Sequence, residues 1–181
     1  MQRANHHSEM PIEIERKYVI SYPDSAVRNQ IPDFAATGIT QVYLKPDDSG
    51  FGRRIRKQVF SDHIEYTYTR KKKIAFGERI ELEDQITEAE YQKLLQEADP
   101  THHSIQKIRY SIPYQNQILE LDLYAFSQKL ATLEIELPDI NTPVQIPDWV
   151  NILADVTDMP GYSNFELSQT LTFPAERNDT I

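Results

Sequence analysis

Charged side chains recur at every second position in many short segments of this 181-residue sequence. A period of two is typical of β-strands, in which alternate side chains lie on one face. Eight such positions are acidic: Glu13, Glu15, Glu81, Glu83, Glu120, Asp122, Glu134 and Glu136. Eight are basic: Lys17, Arg54, Arg56, Lys71, Lys73, Arg79, Lys107 and Arg109. Most of the intervening positions are apolar, so charge is concentrated on one face of each predicted strand.

These charged faces have two interpretations. For a single strand, a solvated outer face is the simpler one. For the whole set, surface strands usually also contain Ser, Thr and Gln, whereas these positions are almost all charged, with the signs grouped by strand. Because like charges on neighbouring strands repel, each group needs a neutralising partner. Carboxylates bind divalent cations, and Arg and Lys bind phosphate oxygens, so a metal-bound polyphosphate would neutralise both groups.

Eight strands are expected from the alternation, and short turn-forming stretches separate most of them. They span residues 12–20, 40–45, 52–59, 63–73, 78–86, 105–113, 117–125 and 131–137. Helices are predicted after Thr87, which begins a capping box, and over residues 164–171 with Asn164 as the N-cap. Residues 148–153 are expected to form one or two helical turns, and residues 25–30 are a further helix candidate.

Eight strands are enough to close a β-barrel. If the charged faces point inward, the interior must hold water and a ligand, because unpaired buried charges are very costly. The apolar outer faces must then be covered by the helices or by a second subunit, which leaves a homodimer open. The sequence therefore predicts a β-rich (α+β) protein built on an eight-stranded closed barrel, with a few peripheral helices.

Composition limits the remaining classes of function. The net charge of −9 disfavours non-specific binding to nucleic acid or to an anionic membrane. The absence of cysteine excludes disulfides, thiolate metal ligands and cysteine nucleophiles. No apolar run approaches the roughly 20 residues of a membrane span, and residues 1–10 lack the apolar centre of a signal peptide. We therefore expect a cytoplasmic protein with a flexible tail over residues 1–10 and a single domain over residues 11–181.

The order of the charged strands resembles the CYTH, or triphosphate tunnel metalloenzyme, family. The N-terminal hallmark of that family is Glu-x-Glu-x-Lys, which residues 13–17 match. The rest of the pattern follows in order, as Gln41-Val42-Tyr43-Leu44, Arg54-Ile55-Arg56, Thr69-Arg70-Lys71, Arg79-Ile80-Glu81-Leu82-Glu83, Lys107-Ile108-Arg109, Glu120-Leu121-Asp122 and Glu134-Ile135-Glu136. Asp155-Val156-Thr157 and Tyr162-Ser163-Asn164 are similar to the C-terminal signature of the family. The resemblance covers residues 11–170.

This resemblance implies an antiparallel eight-stranded tunnel that binds a triphosphate together with one or two Mg²⁺ or Mn²⁺ ions. Activities known in the family are inorganic triphosphatase, thiamine triphosphatase, class IV adenylate cyclase and RNA triphosphatase, so the resemblance defines the fold better than the substrate. The sequence departs from the family at two places. Gly161 lies where many members have a basic residue, and no lysine follows Lys129, whereas some members use a lysine from a C-terminal helix.

The chemistry of each side chain suggests its role. The metal ligands that we expect are Glu13, Glu15, Glu134 and Glu136, followed by Glu120 and Asp122. Phosphate oxygens should be bound by Lys17, Arg54, Arg56, Lys71, Lys73, Arg79, Lys107 and Arg109. The catalytic residues that we expect are Lys17, Arg54, Arg56, Lys71, Glu81 and Glu83. No Ser–His–Asp arrangement is evident, so we expect direct attack by a metal-positioned water without a covalent intermediate.

The leading functional hypothesis is metal-dependent hydrolysis of inorganic tripolyphosphate to pyrophosphate and phosphate. Thiamine triphosphate or a nucleoside triphosphate is an alternative substrate, and conversion of ATP to cyclic AMP is an alternative reaction. A cyclase also needs a seat for adenine, and the sequence shows no evident aromatic pair for it, because Trp149 and Tyr162 are expected in the core. A non-enzymatic polyphosphate-binding module would need the bases but not so many carboxylates.

Overall fold

Nine strands and three short α-helices are formed by residues 11–28 and 36–177, the part of the chain that this computed structural model describes. The strands are β1 (Ile12–Ser21), β2 (Ala36–Tyr43), β3 (Gly52–Val59), β4 (Ile64–Ala75), β5 (Glu78–Ile86), β6 (Ile105–Tyr114), β7 (Gln117–Tyr124), β8 (Leu130–Glu136) and β9 (Ile152–Asp155). The helices are α1 (Ser25–Arg28), α2 (Glu88–Leu94) and α3 (Asn164–Thr170), with 3₁₀ turns at Leu95–Glu97 and Pro174–Glu176. The tail predicted over residues 1–10 lies outside the described residues.

The first eight strands close into an antiparallel barrel. Their order around it is β1-β5-β4-β3-β2-β6-β7-β8, and β8 pairs back onto β1. β1 completes the closure, because its residues 12–14 pair with β5 while its residues 15–21 pair with β8. The predicted eight-stranded closed barrel is therefore confirmed, although β2 begins at Ala36 rather than at residue 40.

A ninth strand extends the sheet outside the barrel. β9 pairs with residues 18–20 of β1, beyond the part of β1 that pairs with β5. The prediction of helical turns over residues 148–153 is wrong, since Val150 closes a single turn onto Pro147 and the chain then becomes extended. The physical reason is that β1 has free backbone groups on this edge, and a strand satisfies them where a helix would not.

The two longer helices each begin at a capping box. Thr87 caps α2 and exchanges hydrogen bonds with Glu90, as the sequence predicted. Ser163 caps α3 and exchanges hydrogen bonds with Glu166. The expected N-cap at Asn164 is therefore wrong by one residue. No helix in the described ranges combines the length and the apolar composition that crossing a membrane requires.

Outward-facing apolar side chains form two cores on the outside of the barrel. Leu121 and Leu133, from β7 and β8, are fully buried in a cluster that also includes Trp149 from the segment before β9. Ile55 of β3 shares a separate buried cluster with Tyr91 of α2. The chain itself therefore covers a large part of the outer face that the sequence left to helices or to a second subunit.

One end of the barrel is filled by apolar residues. Inward-facing Val19, Ile105 and Tyr124 pack there with Leu167 of α3 and with Phe173. We call this end, which α3 covers, the α3 end, and we call the cluster the apolar plug. The open part of the barrel interior lies beyond the plug.

Leu133→Ala should lower the free energy of unfolding by about 3 kcal/mol, because it removes buried methyl groups and leaves a cavity beneath the covering segment. Ile108→Ala is the control, since Ile108 is 46% exposed on the same sheet, and it should cost less than about 1 kcal/mol. Urea unfolding followed by circular dichroism measures both values. Equal losses would contradict the assignment of Leu133 to a packed core.

Candidate active site

A cavity of about 850 Å³ occupies the open part of the barrel interior. Its wall contains fourteen of the sixteen charged residues singled out in the sequence, and Lys107 and Asp122 are the two exceptions. Two further acids, Asp158 and Glu166, and uncharged residues such as Thr37, Tyr43 and Asn164 complete the wall. The charged faces of the strands are therefore turned inward and meet around one space.

Lys107 and Asp122 lie beneath the cavity, between its wall and the apolar plug. Both side chains are fully buried, and the Lys107 ammonium group contacts the Asp122 carboxylate. Burial and the nearby Arg109 lower the pKa of Lys107 to about 7. Burial alone would raise the pKa of Asp122, but Arg109 and Lys107 outweigh it and lower that pKa. Asp122 lies beside Glu134, and Lys107 lies beside Arg109, because Arg109 contacts both acids, but neither Asp122 nor Lys107 lines the cavity. The pair therefore supports the wall from below instead of facing a ligand.

Arg109 joins the buried pair to the cavity wall. Its Nε and Nη2 atoms each donate to Asp122 at 2.7 Å, and Nη2 also lies 2.5 Å from Glu134. Its Nη1 atom contacts Glu120, and Glu134 in turn lies 2.8 Å from the Lys17 ammonium group. Burial alone would lower the pKa of Arg109, but the surrounding carboxylates raise it well above its usual value. Arg109 is therefore fixed in place by three acids.

Glu13 of β1 binds a proton more readily than a typical carboxylate. It contacts Lys71, which also lies 2.8 Å from Glu81. Burial, together with repulsion from Glu15 and Glu81, outweighs Lys71 and raises the pKa of Glu13 to about 7. Although burial opposes it, attraction to Arg54 and Lys71 lowers the pKa of Glu81. Near neutral pH, Glu13 is therefore divided between its charged and neutral forms while Glu81 is ionised.

Arg56 carries a positive charge that is only distantly balanced. Its Nε donates to the Gln41 side-chain oxygen at 2.9 Å, and its ion-pair partner Glu83 is 4.0 Å away. Burial, with repulsion from Arg54 and Arg109, lowers the pKa of Arg56 to about 10. An anion bound in the cavity would relieve this repulsion.

The carboxylates of β1 and β8 offer the oxygen donors that a divalent cation prefers. Glu15 lies directly opposite Glu136 in the strand pairing, and two like charges so placed destabilise a sheet unless a positive group neutralises them. Glu15 pairs with Arg79 at 2.8 Å, whereas Glu136 has no ion pair with any described residue. As placed, no three acidic or histidine side chains of residues 11–28 and 36–177 converge on one point. The donor atoms therefore suit a divalent cation by their chemistry, although their placement among the described residues does not form a three-ligand site.

Several solved structures share this architecture. The inorganic triphosphatase NE1496 is 25% identical, with a TM-score of 0.55, over 90% of this chain and 98% of that one. A protein from Bacillus halodurans, provisionally named an adenylate cyclase, is 17% identical, with a TM-score of 0.54, over 71% of this chain and 81% of that one. The PH1819 protein from Pyrococcus horikoshii OT3 is 20% identical, with a TM-score of 0.52, over 70% of this chain and 79% of that one. No family model and no curated protein matches the sequence.

This chain has the triphosphate tunnel fold. The likeness to NE1496 spans nearly the whole of both chains, and the resemblance noted in the sequence is confirmed at the level of the fold. The two more distant likenesses concern the fold alone. The cavity described above is accordingly called the tunnel.

The tunnel also uses residues that the sequence did not single out. Asp158, in the loop after β9, accepts a hydrogen bond from the Gly77 N–H at 2.6 Å and pairs with Arg79 at 2.7 Å and Lys73 at 3.2 Å. No alternation marks a loop residue, and the one available signal was the acidic character of the stretch after β8. Asn164, expected as a helix cap, lines the tunnel instead.

Asp122→Asn should lower the free energy of unfolding by about 3–5 kcal/mol, because it leaves the buried Lys107 without its counter-ion. Glu120→Gln is the matched control and should cost much less, since Glu120 is partly exposed and Arg109 keeps two other acids. Urea unfolding measures both. The double variant Lys107→Met with Asp122→Leu should recover at least half of the loss, because it removes both buried charges. Equal losses for the two single variants would contradict the supporting role of Asp122.

Proposed function

We propose that this chain is a metal-dependent triphosphatase that hydrolyses inorganic tripolyphosphate to pyrophosphate and phosphate. The observation that carries the proposal is the set of bases around one cavity, with Arg56 left without a close counter-ion. Phosphate oxygens are the acceptors that such a cluster prefers. The likeness to NE1496, which is named an inorganic triphosphatase, supports the proposal.

Substrate binding would exchange the partners of the internal ion pairs. Lys17, Arg54 and Lys71 bond to carboxylates of the wall. A polyphosphate offers these bases better acceptors, and the carboxylates that they leave, such as Glu13, become available to a cation. This exchange uses the acids as well as the bases. A binding module would need the bases alone, so the acid-rich wall favours an enzyme.

During hydrolysis the water oxygen bonds to the terminal phosphorus while the bond from that phosphorus to the bridging oxygen breaks. Pyrophosphate leaves, and the proton of the water passes to solvent or to the product. Lys17, Arg54 and Arg56 hold the phosphate oxygens on which negative charge is spread during the transfer. Glu81, which is kept ionised, orients Arg54 and Lys71. A bound divalent cation would add Lewis-acid stabilisation of the same charge.

Inorganic tripolyphosphate is the proposed substrate because charged side chains dominate the tunnel wall. Trp149 and Tyr162 pack against apolar clusters, in keeping with their expected place in the core. Phe60 and Phe165 do line the cavity, however, and the sequence did not point to them. An aromatic ring at the tunnel wall favours an organic group on the substrate, so ATP and thiamine triphosphate are the alternatives that the assay must include.

Location and assembly belong to the same proposal. We place the protein in the cytoplasm, and its net charge of −9 disfavours non-specific binding to nucleic acid or to an anionic membrane. A homodimer is the assembly to look for, because the outward-facing Ile108 is 46% exposed. Light scattering coupled to gel filtration measures the mass directly.

Purified protein should release phosphate and pyrophosphate from tripolyphosphate in the presence of Mg²⁺ or Mn²⁺, and it should lose this activity in EDTA. The value of kcat/KM for tripolyphosphate should exceed that for ATP by about tenfold or more, since ATP adds a group for which the wall offers few partners. Product analysis by chromatography separates phosphate, pyrophosphate and cyclic AMP. A larger value for ATP, cyclic AMP as the main product, or full activity in EDTA would contradict the proposal.

Arg56→Gln should in the same assay lower kcat/KM for tripolyphosphate by a factor of about 10²–10³, the usual effect of removing one donor to a developing negative charge. Lys57→Gln is the matched control, because Lys57 is the next residue of β3, on the outward parity, and it should leave kcat/KM within about twofold. Similar losses in both variants would mean that kcat/KM depends on the total positive charge of β3 and not on the inward-facing position of Arg56.

Glu13 should make cation binding depend on pH. Its pKa of about 7 means that a cation must displace a proton from a large part of the molecules at or below neutral pH. The affinity for Mn²⁺ should therefore rise as the pH increases to about 7 and then level off. Calorimetry in buffers of different ionisation enthalpy measures both the affinity and the protons released. Glu13→Gln should weaken binding and flatten the dependence, and an unaltered pH profile in that variant would remove Glu13 from the cation site.

A further inference from the structure

A carboxylate from outside the barrel occupies the rim of the tunnel at the α3 end. Asp158 lines the cavity, and its side chain is 6% exposed. Three donors converge on it: the Gly77 N–H at 2.6 Å, Arg79 Nη2 at 2.7 Å and Lys73 Nζ at 3.2 Å. Two cations and a backbone N–H are a set of donors that also suits a phosphate group. Asp158 therefore fills an anion site that the barrel presents to its own ligand.

The backbone around Asp158 is fixed to β1. The Val156 N–H donates to the Lys17 carbonyl at 2.8 Å, and the Lys17 N–H donates to the Thr157 hydroxyl at 3.0 Å. Asp158 has a φ of 56°, a left-handed conformation that a non-glycine residue adopts at some cost in free energy. The carboxylate is thus held in place from both the backbone and the side chain, and it cannot leave the rim without movement of this segment.

Asp158 differs from the acids on the barrel strands. Glu13 and Glu15 belong to the proposed cation ligands, so an arriving cation can take the place of the bases that they hold. Asp158 is bound by a backbone N–H as well as by Lys73 and Arg79, and a cation does not replace that N–H. Lys73 and Arg79, which the sequence assigned to phosphate, are therefore occupied at this end of the tunnel.

The opposite end of the tunnel lacks further bases on two of its strands. Along the inward face of β3, Arg56 is followed by Gln58 and then, after the strand, by Phe60. On β6, Arg109 is followed by Ser111. A phosphate chain that begins among the central bases would extend in this direction into a part of the wall where β3 and β6 offer no further base.

We propose that Asp158 is an end stop that makes the tunnel select linear chains of three phosphates over longer ones. It binds Lys73 and Arg79, and its carboxylate occupies the place that a further phosphate group would need. The inference rests on the triphosphatase function proposed above and adds a specificity-determining residue to it.

The test compares linear tripolyphosphate with linear tetrapolyphosphate, both with Mg²⁺, and the readout is the ratio of kcat/KM for the longer chain to that for the shorter one. Asp158→Asn keeps the size of the side chain and removes its charge, so it should raise this ratio about tenfold, the effect of one added charge-assisted contact. Asp155→Asn is the matched control, because Asp155 precedes the same loop and pairs with Arg16 rather than lining the tunnel. Its ratio should equal that of the wild type.

A second variant identifies the base that Asp158 occupies. Lys73→Gln combined with Asp158→Asn should lose most of the tenfold gain, since Lys73 is one of the two bases set free. An unchanged ratio in Asp158→Asn protein with a normal thermal midpoint, or an equal rise in Asp155→Asn, would overturn the end stop. If Asp158→Asn does not fold, the ratio of kcat/KM values is measured on the wild-type protein alone. A ratio above about threefold in favour of tetrapolyphosphate contradicts the end stop, and a lower ratio supports it.

Failure of the proposed function is distinguishable from failure of this inference. If the wild type hydrolyses neither chain, the triphosphatase proposal is wrong, and the same ratio is then measured from dissociation constants by calorimetry with Mg²⁺ and each chain. A tenfold rise in relative affinity for tetrapolyphosphate in Asp158→Asn would still support the end stop. Binding of neither chain would overturn both.

Discussion

Enclosing charge in a closed barrel is the constraint on which this structure depends. A base buried without a counter-ion costs several kcal/mol, so an interior lined with bases must also be lined with acids. The strands meet this requirement unevenly, since Arg109 is held by three carboxylates while Arg56 is 4.0 Å from its partner Glu83. The interior charges thus neutralise one another, so binding of the proposed substrate would require an exchange of partners.

The same constraint divides the interior charges into two groups. Lys107 and Asp122 are fully buried against the apolar plug, where neither water nor a ligand can replace one partner by another. Lys71 and Glu13 face the cavity, where the proposed phosphate and cation would replace each of them as the partner of the other. One group therefore gives the wall its rigidity, and the other gives it the capacity to bind.

Period-two alternation was sufficient to predict the barrel and most of the tunnel wall, because the parity of a strand position decides which face its side chain occupies. Parity does not give the depth of a residue along the barrel. Lys107 and Asp122 have the inward parity but lie next to the plug, and the residues that form the plug come from distant parts of the chain.

The remaining errors have a similar origin in long-range contacts. Local signals favoured helical turns over residues 148–153, but the free edge of β1 recruits this region as a strand. Asp158 lies in a loop, where no periodicity marks a functional side chain, and its partners Lys73 and Arg79 are about 80 residues earlier in the chain. Only the closed fold brings these groups together.

The position of β1 has a consequence for how the protein is made. β1 pairs with β5, β8 and β9, and its Lys17 bonds to Thr157, which is 140 residues later. Contacts between such distant residues form slowly, and in a growing chain residues 15–21 of β1 lack their partner until β8 has left the ribosome. The loop with Asp158 is synthesised after all eight barrel strands, so the nascent tunnel has its wall of charges before it has the carboxylate at its end.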